Sequence, residues 1–209
     1  MSAGQDGDAV IRGSRGRGLG PWGRWALGLF AEATISTASA FVLPWWEVRG
    51  TDGSSSTLYY GNWCNAIDTG RYAGSECFAY TESPPIPLPG TLVSALFALD
   101  LLVAASVLSL AIGTAGFAVP RVRARARKLI AAAFLVGTIL AAAAVADAVI
   151  TLPGLEPFLL DPASGFRGVG FRYSVNYAWG PAAAWYLLFL AAGTGLLGLI
   201  AIRGAFRSP

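Results

Sequence analysis

Four apolar runs constrain this chain more than any other feature, because each is long enough to cross a bilayer's ~30 Å hydrocarbon core at ~1.5 Å of helix rise per residue. They fall at residues 25–43, 91–119, 129–152 and 181–202. With a content that is 55% hydrophobic and only 13% charged over 209 residues, they predict a mainly α membrane protein, one four-helix transmembrane bundle over residues 21–209. Residues 1–20 are rich in Gly, Asp and Arg without apolar periodicity and read as a disordered cytoplasmic tail. A cleaved secretory signal is the competing reading of the first run, since arginines precede it and Ala38-Ser39-Ala40 resembles a cleavage site. Against that reading, Glu32 interrupts the short apolar core such a signal needs.

The basic residues set the orientation. Eleven of the fifteen Lys and Arg residues precede or open the first run, lie in the tight segment 121–128, or follow the last run. The positive-inside rule therefore predicts both termini and segment 121–128 in the cytoplasm, and segments 44–90 and 153–180 outside a plasma membrane. Segment 121–128 can also touch anionic headgroups. Nucleic acid is not an expected partner, because a short basic turn held against a bilayer is a poor reader of a duplex. Trp22 and Trp25 mark one interface of the first run, and Trp45 and Trp46 the other.

The two outer segments hold the material for a folded cap. Apolar residues alternate at Val169, Phe171, Tyr173, Val175 and Tyr177, which predicts one half-buried strand over 169–177 with Gly170, Arg172, Ser174 and Asn176 on its other face. A lone strand is unstable and needs partners. Stretches 46–49, 57–63 and 77–81 supply aromatic and β-branched residues between Gly, Ser and Asp turn material, so the expectation is a small antiparallel sheet of about four strands joining both segments. Cys64 and Cys77 share the first segment, and in an oxidising location a disulfide between them is the economical reading. Two free thiols or a redox-active pair are the alternatives.

Chemistry is sparse. There is no His, the commonest general base and zinc ligand. No nucleophile and base stand at a recognisable spacing, and no Cys-x-x-Cys pair occurs. The sequence thus points away from an enzyme and implies no cofactor or metal. Glu32, Asp100 and Asp147 lie within the apolar runs, where a carboxylate is costly unless paired, protonated or wet. By chain position Glu32 and Asp100 are deep and Asp147 lies near the outer surface. They are either bundle-facing acids bonded to hydroxyls, or a proton or cation path between Glu32 and Asp100. Small residues at 131–133, 141–144 and Gly193, Gly195 and Gly198 suit close helix contacts, within the bundle or between copies.

A tryptophan at the end of the first run, Trp46 or its neighbour Trp45, is followed by Gly61, Trp63, Cys64 and Cys77. In a four-span chain with both ends inside, this set resembles the W…GLW…C…C signature of the claudin and peripheral myelin protein superfamily, with Asn62 where the family usually has Leu. The passage through Tyr177, Gly180 and Trp185 into the last run is also similar. The resemblance implies an extracellular β cap formed by both outer segments, adhesion contacts through it, and, as in claudins, pore lining. The outer segments carry four arginines and seven carboxylates, so a pore of that kind would prefer cations. The expected function is a non-enzymatic cell-surface protein that organises membrane, or contacts other membrane proteins or copies of itself, through a disulfide-stapled cap. The alternative is a small proton- or cation-coupled transporter, channel or accessory subunit using Glu32 and Asp100.

Overall fold

The computed structural model describes residues 19–50, 56–59, 65–68, 76–78, 90–151, 168–172 and 175–207. Four helices among them are long and apolar enough to cross a membrane: α1 (Pro21–Val42), α2 (Gly90–Ala118), α4 (Arg127–Thr151) and α5 (Ala183–Arg207). Because nearly every position in these helices is apolar, composition alone does not say which face is inside; the spacing of small and bulky residues does. Buried along one side of α2 are Leu96, Leu99, Val103, Ser106, Leu110, Gly113 and Phe117, and along one side of α4 Ile130, Phe134, Gly137, Ala141, Ala144, Ala148 and Thr151, while Thr138 is buried against Gly195 of α5. These intervals follow the alternating three-and-four pattern of a helix–helix seam. The seam is antiparallel: the open side of Gly113 faces Phe134, that of Gly116 faces Ile130, and that of Gly137 faces Leu110. A serine ties it, Ser106 donating to the Gly137 carbonyl at 2.8 Å.

The core has two tiers. In the tier away from the sheet, each long helix contributes one phenylalanine. Phe30 of α1 stacks on Phe134 of α4 with centroids 3.4 Å apart, and Phe117 of α2 meets Phe134 and Phe206 of α5 edge-on at 6.3 and 6.0 Å. Room for Phe30 comes from Gly198 of α5, where an added Cβ would stand 2.8 Å from its ring. In the other tier Trp45, Trp46 and Trp179 pack with Ala40, Leu99, Val103, Ala144, Ala148 and Leu188.

Above that tier lies one antiparallel sheet of six strands: β1 (Trp46–Gly50), β2 (Ser56–Tyr59), β3 (Asn65–Asp68), β4 (Glu76–Phe78), β5 (Gly168–Arg172) and β6 (Val175–Pro181), in the order β4-β3-β2-β1-β6-β5. The join between the two segments is β1 against β6, running from Trp46↔Pro181 to Gly50↔Tyr177. A joined sheet was expected; its composition differs from the expectation in three ways. Among the described residues there are six strands where about four were predicted, and β3 was not foreseen. The single strand predicted over 169–177 is a hairpin, with Arg172 paired to Val175. A two-residue connection reverses face parity, so odd-numbered positions of β5 share a face with even-numbered positions of β6. Val169 is accordingly exposed, while Trp179 is buried. Third, Pro181 ends β6 and does not begin the last helix, and Tyr173 and Ser174 lie outside the described residues.

The helix limits also shift. Leu19 packs into the phenylalanine tier and Gly20 precedes Pro21 at the first helical position, so the expected tail up to residue 20 includes two residues of the fold. Segment 121–128 is not a plain turn. Pro120 starts a short helix, α3 (Pro120–Arg125), which breaks at Ala126 before α4 begins. Trp45 and Trp46 do not mark an interface, being 1% and 0% exposed under the sheet.

Candidate functional site

The sheet surface is the part of the molecule that sequence and structure both single out. Its position is fixed by the chain leaving α1. After Val42 the backbone turns into β1, and the carbonyls of Pro44 and Trp45 accept from the amides of Ala184 and Ala182, both at 2.9 Å. Those bonds tie the exit of α1 to the entry of α5. Alternation along β1 then sends Trp46 into the bundle and Glu47 and Arg49 to the opposite face. Trp179 of β6 points the same way as Trp46, while Asn176 is exposed and Ala178 and Gly180 are half-buried.

On the outward face Arg49 and Glu47 form an ion pair of 2.5 Å, the arginine largely exposed. Beside it is a shallow groove of about 290 Å³, lined by Glu47, Arg49, Val169, Trp179, Pro181 and Tyr186. The groove thus combines a bidentate donor, a carboxylate and apolar walls. No group of three or more Cys, Asp or Glu residues is placed to hold a metal among the described residues.

The three acids of the apolar runs lie in separate places. Glu32 is half-buried midway along α1; Ser36 donates to its Oε1 at 2.6 Å, and its buried Oε2 has no hydrogen-bond partner. Asp147 is held by Thr151 at 3.4 Å through Oδ1. Asp100 is half-buried and follows Leu99, which is in the tryptophan tier. The hydroxyls of Thr34 and Thr114 meet at 3.4 Å and fix the level of α1 against α2. From Thr114 back to Asp100 is roughly 20 Å of helix at ~1.5 Å per residue. Glu32 lies on the far side of that contact. The structure therefore does not bring Glu32 and Asp100 together. Asp100 is level with the base of the sheet, not deep in the bundle.

Of the motif residues, Trp46 is in the core and Cys77 is in β4 opposite Ala66 of β3. Gly61, Trp63 and Cys64 lie outside the described residues, and so does the expected pairing of Cys64 with Cys77. Trp179 and the four-phenylalanine tier were missed from the sequence. The alternation of β6 was visible, yet the hairpin that turns Trp179 inward was not. No protein-family model matches the chain, and no curated protein is significantly similar to it.

Proposed function

We propose that the chain is a non-enzymatic integral membrane protein of the plasma membrane, claudin-like in plan. Both termini are cytoplasmic, and a β cap outside the cell makes protein–protein contacts. The observation that carries this is the pairing of β1 with β6, which merges the two inter-helix segments into one platform on four apolar helices. Large apolar side chains such as Ile35, Leu108, Ile112 and Ile139 point away from the bundle, where lipid would solvate them. The sheet end carries the Glu47–Arg49 pair and its groove, while the described basic residues of segment 121–128 lie at the other end, the sidedness that cytoplasmic retention of positive charge produces. A disulfide between Cys64 and Cys77 belongs to the same proposal, since Ala66, the partner of Cys77, is two positions from Cys64.

The test has two parts. Single cysteines placed in 54–56 and 163–165, in a background lacking the native pair, should label from outside intact cells, and ones in 121–128 only after permeabilisation. Opposite labelling at either segment overturns the orientation. Cross-linking on intact cells should recover a membrane-protein partner or a second copy, and Arg49→Glu should reduce that recovery without changing surface level. Equal recovery from both forms would remove the outward face of the sheet as the contact surface.

A further inference from the structure

The end of the bundle opposite the sheet exposes Arg24, Arg121, Arg125, Arg127, Lys128 and Arg203. Among the described residues no carboxylate accompanies them, the nearest acid being Glu32 midway along α1. Arg123 is held locally, donating to the Phe117 carbonyl at 3.2 Å with its guanidinium 5.6 Å from that ring's centroid. Apolar side chains are exposed at the same end: Trp22, Trp25, Val122 and Leu129. Cations interleaved with exposed tryptophan and aliphatic groups fit neither bulk water nor hydrocarbon. They fit the layer between the two.

One place at this end is shaped. Pro21, Arg24, Trp25 and Gly28 line an open groove of about 390 Å³ on the outer side of α1. At Gly28 a Cβ would meet nothing within 4 Å, so among the described residues the floor is bare and no neighbouring helix closes it. Trp25, 69% exposed, forms a wall that no other described residue covers. The order of groups along the axis is informative. Pro21 lies at the helix end, Arg24 and Trp25 one turn in, and Gly28 about 6 Å beyond Arg24 toward the middle of the helix at ~1.5 Å per residue.

We propose that this groove binds one anionic glycerophospholipid. Its phosphodiester sits on the Arg24 guanidinium, its glycerol region lies against the Trp25 indole, and the first methylenes of an acyl chain cross Gly28. The proposal rests on the membrane reading above and goes beyond it by naming a site and a ligand. A planar guanidinium matches two phosphate oxygens at once. An indole is suited to the headgroup level, where one end is apolar and the other wet. The surrounding cations, which no carboxylate accompanies among the described residues and of which Arg127 rests 5.8 Å from the Phe206 ring centroid, favour a headgroup with net negative charge over a zwitterionic one. A second copy of the chain docking through this face would bring two positively charged ends together. Free phosphate would have no use for Trp25 or the bare floor at Gly28.

The test uses the full chain purified in mild detergent, with native mass spectrometry during titration by dioleoylphosphatidylglycerol, dioleoylphosphatidylcholine or inorganic phosphate. The first phosphatidylglycerol should bind about tenfold more tightly than phosphatidylcholine. Arg24→Gln should abolish that preference, and Gly28→Leu, which fills the groove, should weaken both lipids. Arg125→Gln, at the same end but outside the groove, should leave the preference within about twofold. Circular dichroism checks that each variant keeps its helices. Wild-type lipid binding by both Arg24→Gln and Gly28→Leu would overturn the site in favour of a diffuse field. Displacement of phosphatidylglycerol by inorganic phosphate would overturn the lipid assignment, and a two-chain mass lost in Gly28→Leu would assign the face to a second copy. Failure of the membrane reading itself would look different: every form would leave vesicles in alkaline carbonate as soluble protein.

Discussion

Substituting Gly137 by alanine tests the α2/α4 seam at a point where backbone as well as side chain is close. An added Cβ would stand 2.7 Å from Cγ of Leu110 and 3.1 Å from its backbone nitrogen, so the side chain of Leu110 cannot simply rotate away. The helices must separate by several tenths of an ångström. The Ser106 bond to the Gly137 carbonyl, now 2.8 Å, stretches with them. Overpacking of this kind costs about 1–3 kcal/mol, and an interhelical hydrogen bond in a membrane protein contributes about 0.6 kcal/mol. Alanine's helix propensity returns about 0.8–1 kcal/mol. The net loss is then about 2 kcal/mol, the overpacking term being the largest. Gly193→Ala is the matched control, because a Cβ there meets nothing within 4 Å and only the propensity gain remains. Reversible unfolding by SDS in mixed micelles, followed by far-ultraviolet circular dichroism, reads both. If Gly137→Ala is as stable as Gly193→Ala, the close seam described here is wrong.

Trp46→Ala removes a fully buried side chain that ties the sheet to the bundle and should cost about 3–5 kcal/mol. Hydrogen exchange should rise across β1 and β6 while the helical signal persists; loss of the helical signal instead would place Trp46 in the bundle's own folding. Glu32→Gln keeps an acceptor for Ser36 and should change stability by less than about 0.5 kcal/mol. A proton- or cation-dependent flux that vanishes in this variant would revive the transporter alternative for Glu32 alone. Reducing the proposed Cys64–Cys77 bond, which closes a loop of ~14 residues, should loosen the β3–β4 hairpin by roughly 3 kcal/mol. Because β4 and β5 occupy opposite edges of the sheet, protection in Gly168–Arg172 should survive that reduction. Loss of protection there would mean that the sheet opens as one unit.

The helices were legible because they are apolar on nearly every side, and apolar runs long enough to cross a membrane are hard to mistake. That same uniformity concealed their inner faces. Leu108 is exposed and Leu110 buried, and nothing in the residue type separates them. Only the glycines and alanines at the seam carry the signal. Strand β1 was legible through Trp46, Glu47 and Val48, whereas Asn65–Asp68 has little intrinsic strand preference and is a strand because β2 and β4 flank it. The alternation at 169–177 was a real period read across a turn that reverses it. For the acids, both chain positions were known, but their separation depended on the level of α1 against α2. The contact of Thr34 with Thr114 sets that level.

The pairing of β1 with β6 also has a consequence in time. When Gly50 leaves the ribosome, its partner Tyr177 is about 130 residues from being made, which at ~5–20 residues per second is on the order of ten seconds. During that interval β2 protects one edge of β1, and the other presents unpaired amides and carbonyls to whatever strand arrives first. The nascent chain must therefore complete its last hairpin and deliver α5 before the platform has a closed centre. A chain stopped short of Val175 would keep three of the four long helices and an unpaired edge on β1, open to pairing with a second unfinished copy.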